Sequence, residues 1–470
     1  MRPRQHWRWL SLAVAVSVGC PGDPFPTGAR GAGGAGSSHA SSVVTASGAV
    51  TTNGATSSSA GAGGGACAGS ANYPGPKGWV GYTDYQCNGC RLYVPESKAA
   101  LPPPIKWEKC PGSPAGINCQ SLVIDWTSDP LKAGTGNAYL DVSTSPPVLG
   151  FGRWLDGVEP YSMVAFAQVD GAVRNAMLVF HGPGGSGCFF ALDALNEGRF
   201  IYSVLGDDAN GQWSKSPHKG GIGGSIDELH PKLLAAYDDG LENSWWTTST
   251  RIFRLTGPSE QMAYDWDMQN PTLVTSPKKD PEGLAVGPAV ASGENFFWTS
   301  DNLYTTGINS WNPVDGPRPF IRFIGDWTRG ARNLGTDGKT LVWSYGEGKK
   351  PSDYTVAFPV RSIMAAPYTT DPTKLAPKRL RTDPNIAMSG GQFRVACGRA
   401  ANGGGYQPVI IVRLSDGVSW QLPPESKPDF FPKSVIGLTC DHLYVWGEFG
   451  GRSNIARVSL DSLGPGIPPD

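Results

Sequence analysis

From about residue 67 the chain alternates short apolar runs with Gly, Asp, Asn and Pro, and few windows keep apolar residues at i, i+3, i+4 and i+7 without one of these breakers. Short aromatic and β-branched runs bounded by turn formers predict strands joined by tight turns. The expected class is all-β. Four segments share one pattern, a turn followed by an apolar-aromatic strand: SGENFFWTSDN (292–302), DGKTLVWSYGEG (337–348), GGQFRVACGRA (390–400) and CDHLYVWGEFG (440–450). Aligned, they place Trp298, Trp343, Ala396 and Trp446 at one repeat position, and most are followed by a second strand such as QPVIIVRLSDG or SNIARVSLDS.

The aligned positions are 45, 53 and 50 residues apart, the spacing expected of four-stranded propeller blades. Two earlier stretches are degenerate members: PYSMVAFAQVDGAVRNAMLVF, with Asp170-Gly171 as its hairpin turn, and KLLAAYDDGLENSWWTTSTRIFRLTG. A propeller over residues 120–465 then holds seven blades, with six or eight also compatible. A blade cannot cover both of its faces alone, so the recurring Trp is expected to wedge between radial neighbours. The strings FFWTSDN, LVWSYGEG and LYVWGEFG resemble bacterial surface propellers of the YWTD and TolB-like type over residues 284–462, although Ala396 replaces the Trp in one unit. The resemblance implies a fold and leaves the activity open, because propellers host both enzymes and binding platforms.

The N-terminus has a different pattern. Arg2, Arg4 and Arg8 precede an apolar run from Trp9 to Val18, which Gly19 and Cys20 close. The run is about ten residues long, half of the roughly 20 a spanning helix needs, and its layout is that of an export signal over residues 1–19. It resembles a bacterial lipoprotein signal, with Ser17 where that motif usually has Leu. The resemblance implies cleavage before Cys20 and lipid attachment to it, and Pro21 in place of Asp implies the outer membrane. An ordinary secretory signal is the alternative. Residues 28–66 are Gly, Ala, Ser or Thr at all but six positions. They cannot bury enough apolar area to offset their ordering entropy, so residues 20–66 are expected to be a disordered tether with a reach of roughly 35 Å.

With Cys20 assigned to lipid, eight cysteines remain to pair: Cys67, Cys87, Cys90, Cys110, Cys119, Cys188, Cys397 and Cys440. Export into an oxidising compartment makes disulfides the expectation. Five of the eight fall in a Cys- and Pro-rich extension, residues 67–119. Cys397 and Cys440 occupy neighbouring repeats and are expected to pair, which leaves Cys188 to bridge back to the extension. A zinc site from Cys87, Cys90, Cys110 and Cys119 is an alternative with the right ligand count, but the spacing of its second pair is too wide. A redox Cys87-x-x-Cys90 would need a helix N-terminus, whereas Asn88-Gly89 is turn chemistry.

Catalytic signals are thin. LVFHGPGGSG (178–187) resembles the oxyanion loop of α/β-hydrolases, yet the chain has no G-x-S-x-G elbow to accompany it. The segment is expected to be a glycine-rich propeller loop. His181, His218, His230 and His442 lack metal-ligand spacing, and Asp265 and Asp267, Asp207-Asp208 and Asp238-Asp239 are expected to be acidic turn residues. Without residues 1–19 the chain has 36 Lys and Arg against 40 Asp and Glu, a net charge of −4, which does not suggest a nucleic-acid partner. The expectation is therefore a monomeric, lipid-anchored propeller at the cell envelope. It would bind or scaffold an envelope protein or glycan, with no assigned catalytic, cofactor or metal residue. The alternative is an extracytoplasmic enzyme acting on glycan or peptide in the propeller funnel.

Overall fold

A computed structural model describes residues 76–82, 91–124, 135–154, 161–180, 188–206, 219–237, 244–256, 260–275, 286–302, 305–324, 329–348, 360–369, 371–388, 392–403, 408–422 and 429–469. The chain divides into two units, residues 1–66 and 67–470, and all described residues belong to the second. They form seven antiparallel sheets arranged as a seven-bladed β-propeller. Helical structure among them is confined to single 3₁₀ turns at Lys98–Ala100, Pro372–Lys374 and Leu460–Leu463.

The innermost strands of blades 1 to 7 are Thr135–Asp141, Cys188–Asn196, Trp245–Thr247, Val286–Ser292, Arg329–Thr336, Arg394–Ala396 and Phe430–Leu438. Each lies against the next, and the last lies against the first. Blades 2 to 6 are simple four-stranded meanders running outward from the axis. Blade 1 contains the predicted hairpin: Tyr161–Gln168 and Val173–Phe180 flank Asp170-Gly171, where Gly171 has φ +125°, a conformation L side chains rarely adopt.

Blade 7 closes the ring. Its three C-terminal strands, Phe430–Leu438, His442–Phe449 and Ser453–Ser459, are joined by Cys119–Val123 from near the other end of the chain, with Ser121 opposite Ala456. Arg457 Nε donates to Gln120 Oε1 at 2.8 Å and Asn454 Nδ2 to Leu122 O at 2.9 Å across this seam. Lys106–Lys109 adds a fifth strand outside it. The described part of residues 67–119 is thus woven into the ring's rim, since Arg91–Pro95 and Trp79–Gly81 also extend blade 1 outward. The C-terminal tail covers the outer edge of blade 6, where Ser419 and Ile467 exchange backbone hydrogen bonds. Covered edges cannot template pairing with other chains.

The core lies between blades. Trp298 packs with Phe253, Ala263 and Val274 of blade 3, and Trp343 packs with Phe297 and Phe320 of blade 4. Both are 1% exposed. Each is therefore the wedge toward the preceding blade that the repeat predicts.

The fourth aligned position is a correction. Trp298, Trp343 and Trp446 sit in the second strands of blades 4, 5 and 7, but Ala396 ends the first strand of blade 6. Cys397-Gly398 follows, with φ of +48° and +70°, and these two residues form the hairpin turn before the second strand, Arg399–Asn402. Two consecutive positive φ values are the signature of a type I′ turn, so position 396 lies one strand before the position that the three Trp residues share.

Candidate functional site

Side chains cross the axis at two levels. Just before the inner strand of blade 6, Gln392 Nε2 donates to Ala289 O of blade 4 at 2.7 Å. Two residues on, the Arg394 guanidinium lies over the Tyr139 ring of blade 1, 5.8 Å from its centroid, and its Nη1 donates to Gln392 Oε1 at 3.4 Å. Blades 1 and 4 are not neighbours of blade 6, so these contacts span the ring's interior. Burial pulls the Arg394 pKa down, and the Tyr139 hydroxyl partly opposes this.

The second level is at the hairpin turns between first and second strands. Asn196 Nδ2 of blade 2 donates to Thr247 O of blade 3 at 2.9 Å and to Ala291 O of blade 4 at 3.2 Å. Glu197 forms a type I′ turn with Gly198, at φ +51° and +73°. That unusual geometry for a non-glycine residue directs its carboxylate along the turn face. Glu197 Oε2 accepts from Ser249 N and Ser249 Oγ, each at 2.8 Å, and Oε1 accepts from Gly293 N at 2.8 Å. Asp141 does the same one blade earlier, accepting from Ser143 N at 2.9 Å and from Gly198 N at 2.5 Å. Carboxylates that accept several N–H bonds are fixed acceptors with little rotational freedom.

Beside Glu197 the turns of blades 1, 2 and 3 enclose a depression of about 440 Å³, lined by Thr144, Ser145, Arg174, Arg199, Asp227 and Ser249. Arg174 is ion-paired with Asp227, its Nε donating to Oδ1 at 2.9 Å. Arg199 lies over the Trp266 ring at 4.8 Å, and Trp266 Nε1 is anchored on Thr248 O at 3.0 Å. A guanidinium held flat on an aromatic ring keeps its N–H edge available to a ligand.

One carboxyl is strongly perturbed. Asp193 is on the inner strand of blade 2 at the bulge where pairing shifts between Ile201 and Tyr202. Burial pushes its pKa up to about 7, against the opposing effect of the hydrogen bond from Ser203 Oγ.

The residues singled out in the sequence do not assemble into one site. Cys110 and Cys119 are bonded to each other, which removes both from the zinc alternative, and Cys397 pairs with Cys440 as expected. Cys20, Cys67, Cys87 and Cys90 lie outside the described residues, as do His181 to Gly187; Cys188 opens the inner strand of blade 2, but its side chain is also outside them. Asp267 is a local turn acceptor, accepting from Gln269 N at 3.0 Å, whereas Asp265 accepts from Asn270 Nδ2 at 2.7 Å and is also ion-paired at 2.8 Å with Arg251 of the neighbouring strand, which bridges to Glu294 of blade 4. Glu197, Gln392 and Arg394 escaped the sequence reading. The one local hint was an Arg within a short strand that otherwise packs as core.

No protein-family model matches the chain, and none of the curated proteins compared with it matches. Among solved structures, an oligogalacturonate lyase from Vibrio parahaemolyticus aligns at 9% identity and a TM-score of 0.48, over 77% of this chain and 97% of its own. An oligogalacturonate lyase in complex with manganese aligns at 11% identity and 0.46, with the same two coverages. TolB from Acinetobacter baumannii aligns at 14% identity and 0.32, over 67% of this chain and 79% of its own.

Proposed function

We propose that the chain is an exported propeller, held to the cell envelope by a lipid on Cys20, that binds a polar envelope ligand, glycan or peptide, on its turn face. The observation that carries the binding part is the depression beside Glu197. Its polar groups come from three blades and are fixed on rigid hairpin turns, with Arg199 braced by Trp266. Such preorganisation lowers the entropy that binding must overcome. The export part is supported by the leader in the sequence and by two disulfides, which persist in oxidising compartments.

One experiment tests both parts. The full chain and its Cys20→Ala and Arg199→Ala variants are made in a bacterial host, fractionated, and titrated with purified envelope glycan and peptide fragments. Cys20→Ala is expected to move the protein from the membrane to the soluble fraction, and Arg199→Ala to weaken binding by at least about tenfold. Membrane retention of Cys20→Ala overturns the anchor, and unchanged binding by Arg199→Ala overturns the turn-face site.

A second reading, an enzyme working from the funnel, draws on Asp193 alone, because a carboxyl with a pKa near 7 can exchange a proton at neutral pH. Hydrolysis or elimination of an envelope glycan or peptide that vanishes in Asp193→Asn would establish it in place of simple binding.

A further inference from the structure

We propose that the propeller axis binds a small oxyanion, a carboxylate or a tetrahedral phosphate or sulfate, on the free edge of the Arg394 guanidinium. This site is separate from the turn-face depression and does not depend on the reading given to it. Arg394 is on the innermost strand of blade 6, ringed by protein and only partly reachable by solvent. Its polar contacts are few. Nη1 donates to the Gln392 amide oxygen at 3.4 Å, one face of the guanidinium rests on Tyr139, and the buried Nε has no hydrogen-bond partner. Among the described residues no carboxylate forms an ion pair with it.

Arg381 shows how this molecule otherwise treats a buried guanidinium. Arg381 and Asp383 form an ion pair at 3.2 Å with side chains 7% and 8% exposed, Gln421 Nε2 donates to the same carboxylate oxygen at 2.9 Å, and Arg381 Nη1 reaches Pro468 O at 3.3 Å. Arg394 has nothing comparable. A guanidinium does not shed its charge inside a protein, so Arg394, half-buried, is a cation that no carboxylate among the described residues neutralises. Asp193, the perturbed acid on another inner strand, is not that counter-ion, since its carboxylate is held by Ser203 of its own blade.

The geometry also says which anion fits. Gln392 is fixed at both ends, its nitrogen on Ala289 O and its oxygen receiving Arg394 Nη1, so it holds one corner of the guanidinium in place. Tyr139 covers one face. Nε is sealed from solvent, so what a ligand can reach is the outer end formed by Nη2 and Nη1, whose outward N–H donors are spaced to match two oxygens of a carboxylate, phosphate or sulfate and offer a spherical halide no such match. Gln392 is a positioning residue here, and Arg394 is the ligand-binding one.

The full chain is titrated with sodium phosphate, sodium sulfate and sodium succinate against sodium chloride at equal ionic strength, by calorimetry and by melting temperature. At about a hundred times Kd, the preferred oxyanion is expected to raise the melting temperature by about 3–5 °C, while chloride does not. Comparison of the three arms tells a carboxylate ligand from a tetrahedral one. Arg394→Met should abolish the response, and Arg199→Ala, which alters the turn face alone, should retain it. Arg394→Lys keeps the charge but loses the fork, so it should bind at least about fivefold more weakly and serves as the test if Arg394→Met does not fold. Equal responses from wild type and Arg394→Met, equal binding by Arg394→Lys, or no response to any oxyanion would overturn the proposal.

Discussion

The Glu197 carboxylate of blade 2 accepts a hydrogen bond from Gly293 N of blade 4 at 2.8 Å, passing over blade 3, which it also binds through Ser249. One side chain therefore ties three consecutive blades at their turns. Hydrogen bonds to a charged acceptor contribute about 1.5–3 kcal/mol each when removal strands a donor. Glu197→Ala is expected to lower unfolding stability by about 2–3 kcal/mol and Glu197→Gln, which keeps an acceptor oxygen, by about half that. Urea unfolding of the three proteins checks it, and equal midpoints would show the tie to be idle.

The two disulfides should differ in their effect on stability. Cys397 and Cys440 are 43 residues apart in sequence, and Cys110 and Cys119 are 9 apart. In the chain-entropy account, removing the first costs about 4 kcal/mol and removing the second about 2.5. Paired Cys→Ser variants, melted under non-reducing conditions, should rank in that order. The reverse order would mean that the short bridge acts through the ring seam more than through the unfolded chain.

Asp193 makes stability depend on pH in a direction opposite to that of a salt-bridged acid. Its folded pKa, about 7, lies above the usual 3.8, so between those values the folded state holds the proton more often than the unfolded state. Stability is then greatest at or below about pH 4 and falls as pH rises to about 7, by a total on the order of 3–4 kcal/mol. Asp193→Asn should flatten this slope and exceed the wild type in stability above pH 7. An unchanged slope in calorimetric scans between pH 4 and 8 would refute it.

The inter-blade Trp residues provide a test of repeat register. Trp298→Ala and Trp343→Ala should each cost about 3–5 kcal/mol, whereas Trp446, half-buried with Lys433 Nζ 5.2 Å from its ring centroid, should cost less. Ala396→Trp should destabilise by about 1–3 kcal/mol or more, because Ala396 is a first-strand residue packed in the blade 6 and 7 core rather than the counterpart of those Trp residues. Tolerance of Trp at 396 would restore the original alignment.

Blade number and the Trp wedges were legible because both follow from local pattern: a turn, an aromatic strand and a fixed period. The misplaced Ala396 shows the limit of that logic, since Val395-Ala396 before a Cys-Gly turn has the composition of either of two adjacent strands. The Cys397–Cys440 bridge was readable because repeat position stood in for spatial position. Glu197, Gln392 and Arg394 were not readable. Their partners sit one or two blades away, at sequence distances that no period encodes.

Because Cys119–Val123 lies beside Ser453–Ser459, the ring is shut by a pairing between residues more than 330 apart, among them Gln120 and Arg457, 337 apart. During synthesis the early strand emerges long before its partner exists. It must wait as an open edge, the state most prone to mispairing, and such distant contacts form late. A nonsense or frameshift lesion before or within Ser453–Ser459 would therefore reach back to Cys119–Val123, stripping a partner from a strand made hundreds of residues earlier.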